Sequence, residues 1–236
     1  MWTRDVSKGL LIDFEVIARP ADGDPGPLLQ EIRNLGYEVY HREFQAACDY
    51  VLYVGVPQRE YDGAERFLEA VFKHFDVKPK RTDLMALAPV FAELHRYTLH
   101  DDATRSLPVL AKGRKIAVLS ALPRFLVAPV LEPVKAHVAA VVTPKEAKAV
   151  PPNPEVLRTA MAAIKLRAKD VAFVSTDCAD LAAAKSLELR TVFVGRQGDA
   201  ACGHAAIAVR SLDELEAALQ PAPAKSQAVA PPSAPG

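Results

Sequence analysis

Five short apolar runs, each bounded by polar or turn residues, constrain the fold of this chain more than any other feature. They read KGLLIDFEVIA from Lys8, KIAVLSALP from Lys115, HVAAVVTP from His137, DVAFVSTDCAD from Asp170 and RTVFVGR from Arg190. Runs of this length without polar alternation suit strands buried on both faces, the condition of a parallel sheet. Helical patterns separate the later runs. NPEVLRTAMAAIKL repeats apolar residues at three- and four-residue spacing, with Asn153 as its N-cap and Pro154 in the first position. LAAAKSLEL follows the fourth run and DELEAALQ the fifth. Strand followed by helix, repeated, predicts an α/β fold: a Rossmann-like parallel sheet with helices on both faces.

The first two runs are far apart, and RPADGDPGP ends the first with a cluster of turn residues. From Leu28 to Arg105 the pattern is helical, in PLLQEIRNLGYEV, HREFQAACDYVLY, EYDGAERFLEAVFKHF and DLMALAPVFAELHRY. The predicted organisation is a core of residues 1–25 and 106–219, an inserted helical cap of residues 26–105, and a tail of residues 220–236. That tail is rich in proline and alanine and poor in large apolar residues, which predicts disorder.

Half of the 236 residues are hydrophobic and a quarter are charged, enough for one core and such a module. Formal net charge is zero and the basic residues are scattered, so no nucleic-acid footprint is present. No apolar run approaches the roughly twenty residues of a membrane span. The opening MWTRDVSKG lacks the apolar stretch of a leader. Cys48, Cys178 and Cys202 are odd in number and far apart, which predicts reduced thiols and, with the rest, a cytoplasmic protein. Small-molecule chemistry is the default that remains.

Three of the runs end in groups capable of chemistry: Asp13 with Glu15, then Ser120, then Ser175, Asp177 and Asp180. In a parallel sheet these ends share one edge, where ligands of open α/β sheets sit. A carboxylate there suits a nucleophile, a general base or a metal ligand, and hydroxyls suit an oxyanion. Each residue taken singly also suits a helix cap or a first-turn acid. The order of acid, helical insert, serine, then serine with acids is harder to reduce to caps.

In that order the chain resembles the haloacid dehalogenase superfamily, hydrolases that form a covalent intermediate on an aspartate. LLIDFEV is similar to the first motif with Asp13 as nucleophile, AVLSALPR to the second with Ser120, and DVAFVSTDCADLAAAKSLELRTVFVGR to the fourth with its helix and strand. Magnesium phosphatases of the superfamily place an acid four residues before the position of Asp180, where this chain has Thr176. The 2-haloacid dehalogenases read Ser, any residue, Asn, two residues, Asp. Ser175, Asp177 and Asp180 match that pattern with Asp177 in place of Asn. The resemblance to this branch implies no required cofactor, because a halide leaves without a proton, and no need of an acid at Glu15. It implies catalytic roles for Asp13, Ser120 and Asp180 and substrate binding by Ser175, Asp177 and Arg42, the last from HREFQ in the insert. It further implies a small-molecule substrate, no nucleic-acid or membrane partner, and allows a homodimer.

The departures fall on the residues that make such a nucleophile work. Ile17 replaces a threonine and Val16 the glycine before it, Pro151 stands at the third-motif lysine, and Leu157 stands at a tyrosine. That lysine pairs with the nucleophilic carboxylate, so its loss predicts weakened catalysis unless Lys148, or Lys145 in the same loop, substitutes. Two rivals stay open. One is a catalytically inactive binding or structural protein of the same fold. The other is a phosphatase holding magnesium through Asp13 and Asp177, with Asp180 as a further oxygen ligand.

Overall fold

The computed structural model describes residues 7–21, 24–55, 61–196 and 202–220. The first apolar run forms strand β1 (Gly9–Asp13) and stops there, because Phe14–Ile17 turns into a single helical turn, α1. Glu15 therefore lies on that turn and not on the strand. The chain then makes a short strand β2 (Ala18–Pro20) before entering the insert.

Among its described residues the insert holds four α-helices: α2 (Gly26–Asn34), α3 (His41–Tyr50), α4 (Ala64–His74) and α5 (Arg81–Leu94). A five-residue π-helical turn, Val51–Gly55, extends α3. The apolar faces of these helices meet in a cluster of their own, centred on Phe67, Leu68, Phe72, Leu87 and Phe91. The chain returns through β3 (Tyr97–Leu99), which pairs antiparallel with β2, Ala18 opposite Leu99 and Pro20 opposite Tyr97. This two-stranded stalk was not apparent from the sequence. Helix α6 (Asp101–Leu110) runs across the expected boundary at residues 105 and 106, and its Ala103, Leu107 and Leu110 pack under the main sheet.

The remaining elements alternate as the pattern predicts: β4 (Lys115–Leu119), α7 (Arg124–Leu131), β5 (Ala140–Val142), α8 (Pro144–Ala147), α9 (Pro154–Ile164), β6 (Val171–Ser175), α10 (Cys178–Ser186) and β7 (Arg190–Val194). A sixth sheet strand, β8 (Ile207–Val209), and a short helix, α11 (Leu215–Leu219), complete them. The sheet order is β5-β4-β1-β6-β7-β8, with every neighbouring pair parallel. Successive side chains of each strand face opposite sides, and both sides are apolar. Leu10, Ile12, Val118 and Val174 join one cluster with α6 and α11, and Leu11, Leu119 and Phe173 join another with α9 and α10. That two-sided burial explains the unbroken apolar runs. Asn153 caps α9 as expected, accepting a hydrogen bond from the Glu155 N–H at 2.9 Å.

The cysteines correct the sequence expectation. Cys178, the first residue of α10, is bonded to Cys202 in the loop after β7, with Cα atoms 5.6 Å apart, while Cys48 is free and buried in the insert. Twenty-four residues separate the pair in sequence. Parallel pairing hides the proximity: α10 starts where β6 ends, and β7, running parallel to β6, delivers its following loop to the same edge. Among the described residues, no helix is long and apolar enough to cross a membrane. The expected disordered tail is residues 220–236, and all of it but Gln220 lies outside the described residues.

Candidate active site

The parallel register assembles the site. Asp13 lies opposite Leu119, so Ser120 follows beside it, and Ile12 lies opposite Val174, so Ser175 closes the other side. Three adjacent strand ends thus bring Asp13, Ser120 and Ser175 together. Asp13 is only 9% exposed. Its Oδ2 accepts a hydrogen bond from the Ser175 hydroxyl at 3.2 Å, and the same hydroxyl oxygen accepts from the Asp177 N–H at 2.9 Å. Ser120 Oγ accepts from the Leu122 N–H at 3.0 Å, and Asp177 Oδ1 accepts from the Ala179 N–H at 2.6 Å. Asp177 is thus the N-cap of α10, whereas Ser120 closes a turn ahead of α7, whose N-cap is Pro123.

Above these groups opens a cavity of about 200 Å³. Asp13, Glu15, Ser120, Asp177 and Asp180 line it, with Phe14 from α1, Tyr53 from the π-helical turn and Tyr97 from β3. Tyr53 and Tyr97 were not legible as site residues: one rides on an irregular turn of the insert, the other on the stalk strand. On the sheet side, a narrow gap between Asp13 and Asp180 is walled by Pro151, Leu157 and Phe173. Pro151 thus occupies a place beside Asp13, as its alignment with the lysine implies. Leu157 is buried beneath, and Ile17 faces the core.

The expected cations are elsewhere. Arg42 is exposed on α3 and lines neither the cavity nor the gap. Lys148 ends α8 in the left-handed conformation, exposed, and neither it nor Lys145 lines the cavity. Among the described residues no lysine, arginine or histidine forms an ion pair with Asp13. Burial, together with the charges of Asp180 and Glu15, pushes the Asp13 carboxyl up to about 8, against the Ser175 hydroxyl and the Glu15 N–H. Burial, with Asp177 and Glu15, pushes Asp180 up to about 6. At neutral pH Asp13 is mostly protonated and Asp180 mostly ionised.

Thr176 stands four residues before Asp180, and among the described residues no three His, Cys, Asp or Glu side chains come together in a metal-holding group.

No family model matches the sequence. No curated protein matches it either. Solved structures do. A 2-haloacid dehalogenase from Pseudomonas syringae pv. Tomato superposes with a TM-score of 0.68 at 16% identity, over 90% of this chain and 97% of that one. A HAD phosphatase from Thermococcus onnurineus gives 0.61 at 19% identity, over 91% and 98%. The L-2-haloacid dehalogenase from Xanthobacter autotrophicus, with chloropropionic acid covalently bound, gives 0.56 at 16% identity, over 88% and 96%. The chain has the fold that these solved structures share, 2-haloacid dehalogenases and HAD phosphatases alike.

Proposed function

We propose that the protein is a hydrolase of the 2-haloacid dehalogenase type, acting on a small molecule through an ester on Asp13, with activity weakened at neutral pH. The observation that carries this reading is Asp13 itself: a buried carboxyl at the central strand end, held by Ser175 and open to a cavity. In the first step the ionised Asp13 oxygen attacks a carbon bearing a halogen; the C–O bond forms and the halide leaves with its electron pair. Water then attacks the ester carbonyl carbon, Asp180 takes its proton, and the alcohol product departs as Asp13 is restored. Asp180, ionised just above pH 6, suits the base. The insert acts as a cap, contributing Tyr53 to the cavity wall.

Halide release from 2-bromopropionamide tests this reading. The rate should rise as pH passes 8, survive chelation, and vanish in Asp13→Asn. Magnesium-dependent phosphate release from an aryl phosphate, without halide release, would overturn it.

One observation favours the non-catalytic rival: Pro151 and Leu157 wall the place where a cation would activate Asp13. Saturable ligand binding with no turnover in either assay, even above pH 8 where Asp13 is mostly ionised, would establish it.

A further inference from the structure

A 2-haloacid is a carboxylate and a phosphate ester is a dianion, so either must meet positive charge in its site. Among the described residues the cavity offers none: four carboxyl groups, Asp13, Glu15, Asp177 and Asp180, line it, and no described lysine, arginine or histidine does. The two positions expected to carry cations are Pro151, which has no charge, and Arg42, which lies off the cavity. Three aromatic residues, Phe14, Tyr53 and Tyr97, line it as well. The field reaches them too, since burial and then Glu15 push the Tyr53 and Tyr97 hydroxyls up, Tyr97 to about 12. Carboxylates and aromatic rings lining one cavity, with uncharged Pro151 and Pro152 beside them, are the two groups that attract a quaternary or substituted ammonium.

We propose that this cavity takes a small organic cation, an ammonium compound, with its charge toward Glu15, Asp177 and Asp180 and its carbon skeleton against Tyr53, Tyr97 and Phe14. The inference deepens the hydrolase reading by naming its substrate class: the substrate brings the positive charge that the protein lacks beside Asp13. An ammonium group at the site would also favour the ionised nucleophile, as the missing lysine does in the dehalogenases. For such a substrate the step is unchanged: the Asp13 oxygen bonds to the carbon, the halide leaves, and water releases the amino alcohol.

Calorimetric titration of the intact protein with tetramethylammonium, 2-chloropropionate, inorganic phosphate and magnesium chloride, each alone, tests the site without requiring turnover. Tetramethylammonium should bind saturably, more weakly as salt rises, and the two anions should not. The Glu15→Gln/Asp177→Asn double variant should weaken cation binding at least about tenfold, about 1.4 kcal/mol. Asn preserves the cap at residue 177, and Glu15 is exposed, so the fold should survive. Tyr97→Leu, whose wild-type ring packs on Phe14, should also weaken it, and Tyr53→Leu provides a second, exposed test of the aromatic wall. No cation binding, binding that the double variant leaves unchanged, tighter binding of 2-chloropropionate, or magnesium binding that displaces tetramethylammonium would each overturn the proposal. Halide release from (2-bromoethyl)trimethylammonium separates the two readings. Tetramethylammonium binding without any halide release sinks the aspartyl-ester chemistry and keeps the cation site; Asp13-dependent release from the bromo compounds without tetramethylammonium binding does the reverse.

Discussion

At the scale of single residues, Asp13 sets the pH behaviour of the protein. Its carboxyl titrates near 3.8 unfolded and about 8 folded, so between those values the folded chain holds a proton that the unfolded chain has lost. Stability therefore falls as pH rises through that window, by at most about 1.4 kcal/mol per pH unit for one group. Asp13→Asn removes the titration while its amide oxygen still accepts from Ser175. The variant should melt above wild type at pH 8 and close to it at pH 4; melting curves across that range check this, and a constant difference would refute the assignment. Pro151→Lys acts on the same group from outside. An ammonium within about 4 to 6 Å of a carboxylate lowers its pKa by about one to three units, so halide release at pH 7 should increase and its pH profile should shift to lower pH. An increase without that shift would mean the lysine does not reach Asp13. These residues also show where sequence reading stopped. Asp13, Ser120 and Ser175 were legible because strand ends in a parallel sheet share an edge. The resemblance put Arg42 in the substrate site and the structure puts it off the cavity, because helical periodicity gives the buried face of α3 but not its rotation relative to the cavity.

At the scale of elements, two tethers hold the segments that carry the site. The Cys178–Cys202 bond joins the first turn of α10, between Asp177 and Asp180, to the loop after β7. Closing a loop of this length removes about 3 kcal/mol of unfolded-state freedom in the chain-entropy account. Cys178→Ser/Cys202→Ser, or reduction of the wild type, should lower the melting midpoint by roughly 5 to 10 °C. A free-thiol count of one in the denatured, unreduced protein would confirm the pairing; three would remove it. The second tether is Arg196, just after β7. It donates to Asp102 Oδ2 at 2.7 Å and to the Val16 carbonyl at 2.6 Å, while the Leu212 N–H donates to the same Asp102 oxygen at 2.8 Å. Burial opposes the Asp102 charge, but Arg196 and the Leu212 N–H outweigh it and hold the carboxyl below its ordinary range. Arg196→Met should cost about 3 kcal/mol, because it leaves a buried carboxylate without its cation; denaturant unfolding at pH 7 measures it. The loss should shrink as pH falls through the folded pKa of Asp102, where the wild type loses the same ion pair. A cost below 1 kcal/mol would show that solvent reaches Asp102 freely. Neither tether was legible, since both join segments through the return of parallel strands and not through a local pattern.

At the scale of the whole molecule, the alternation of apolar runs and helical periods made the sheet and the insert readable, because each has an apolar signal long enough to register. The stalk of β2 and β3 and the strand β8 have three residues each, too few to set a period against their flanking turns. The same organisation has a consequence for cooperativity. The sheet clusters and the insert cluster are each a core, and Leu122 borders both while Phe125 packs on the insert, its ring 6.3 Å from that of Phe67. Removing the junction should separate the two units without emptying either core. In Leu122→Ala/Phe125→Ala the calorimetric transition should broaden or split, with the van't Hoff enthalpy falling below the calorimetric one. Phe67→Ala, by contrast, empties the insert's own core and should cost about 3 to 5 kcal/mol. Because Tyr53 reaches the cavity from the insert, Phe125→Ala alone, which changes no described lining residue, should also bind tetramethylammonium more weakly than wild type. A single sharp transition, displaced as a whole, would mean that the stalk alone couples the units, and the cavity wall would then keep its affinity.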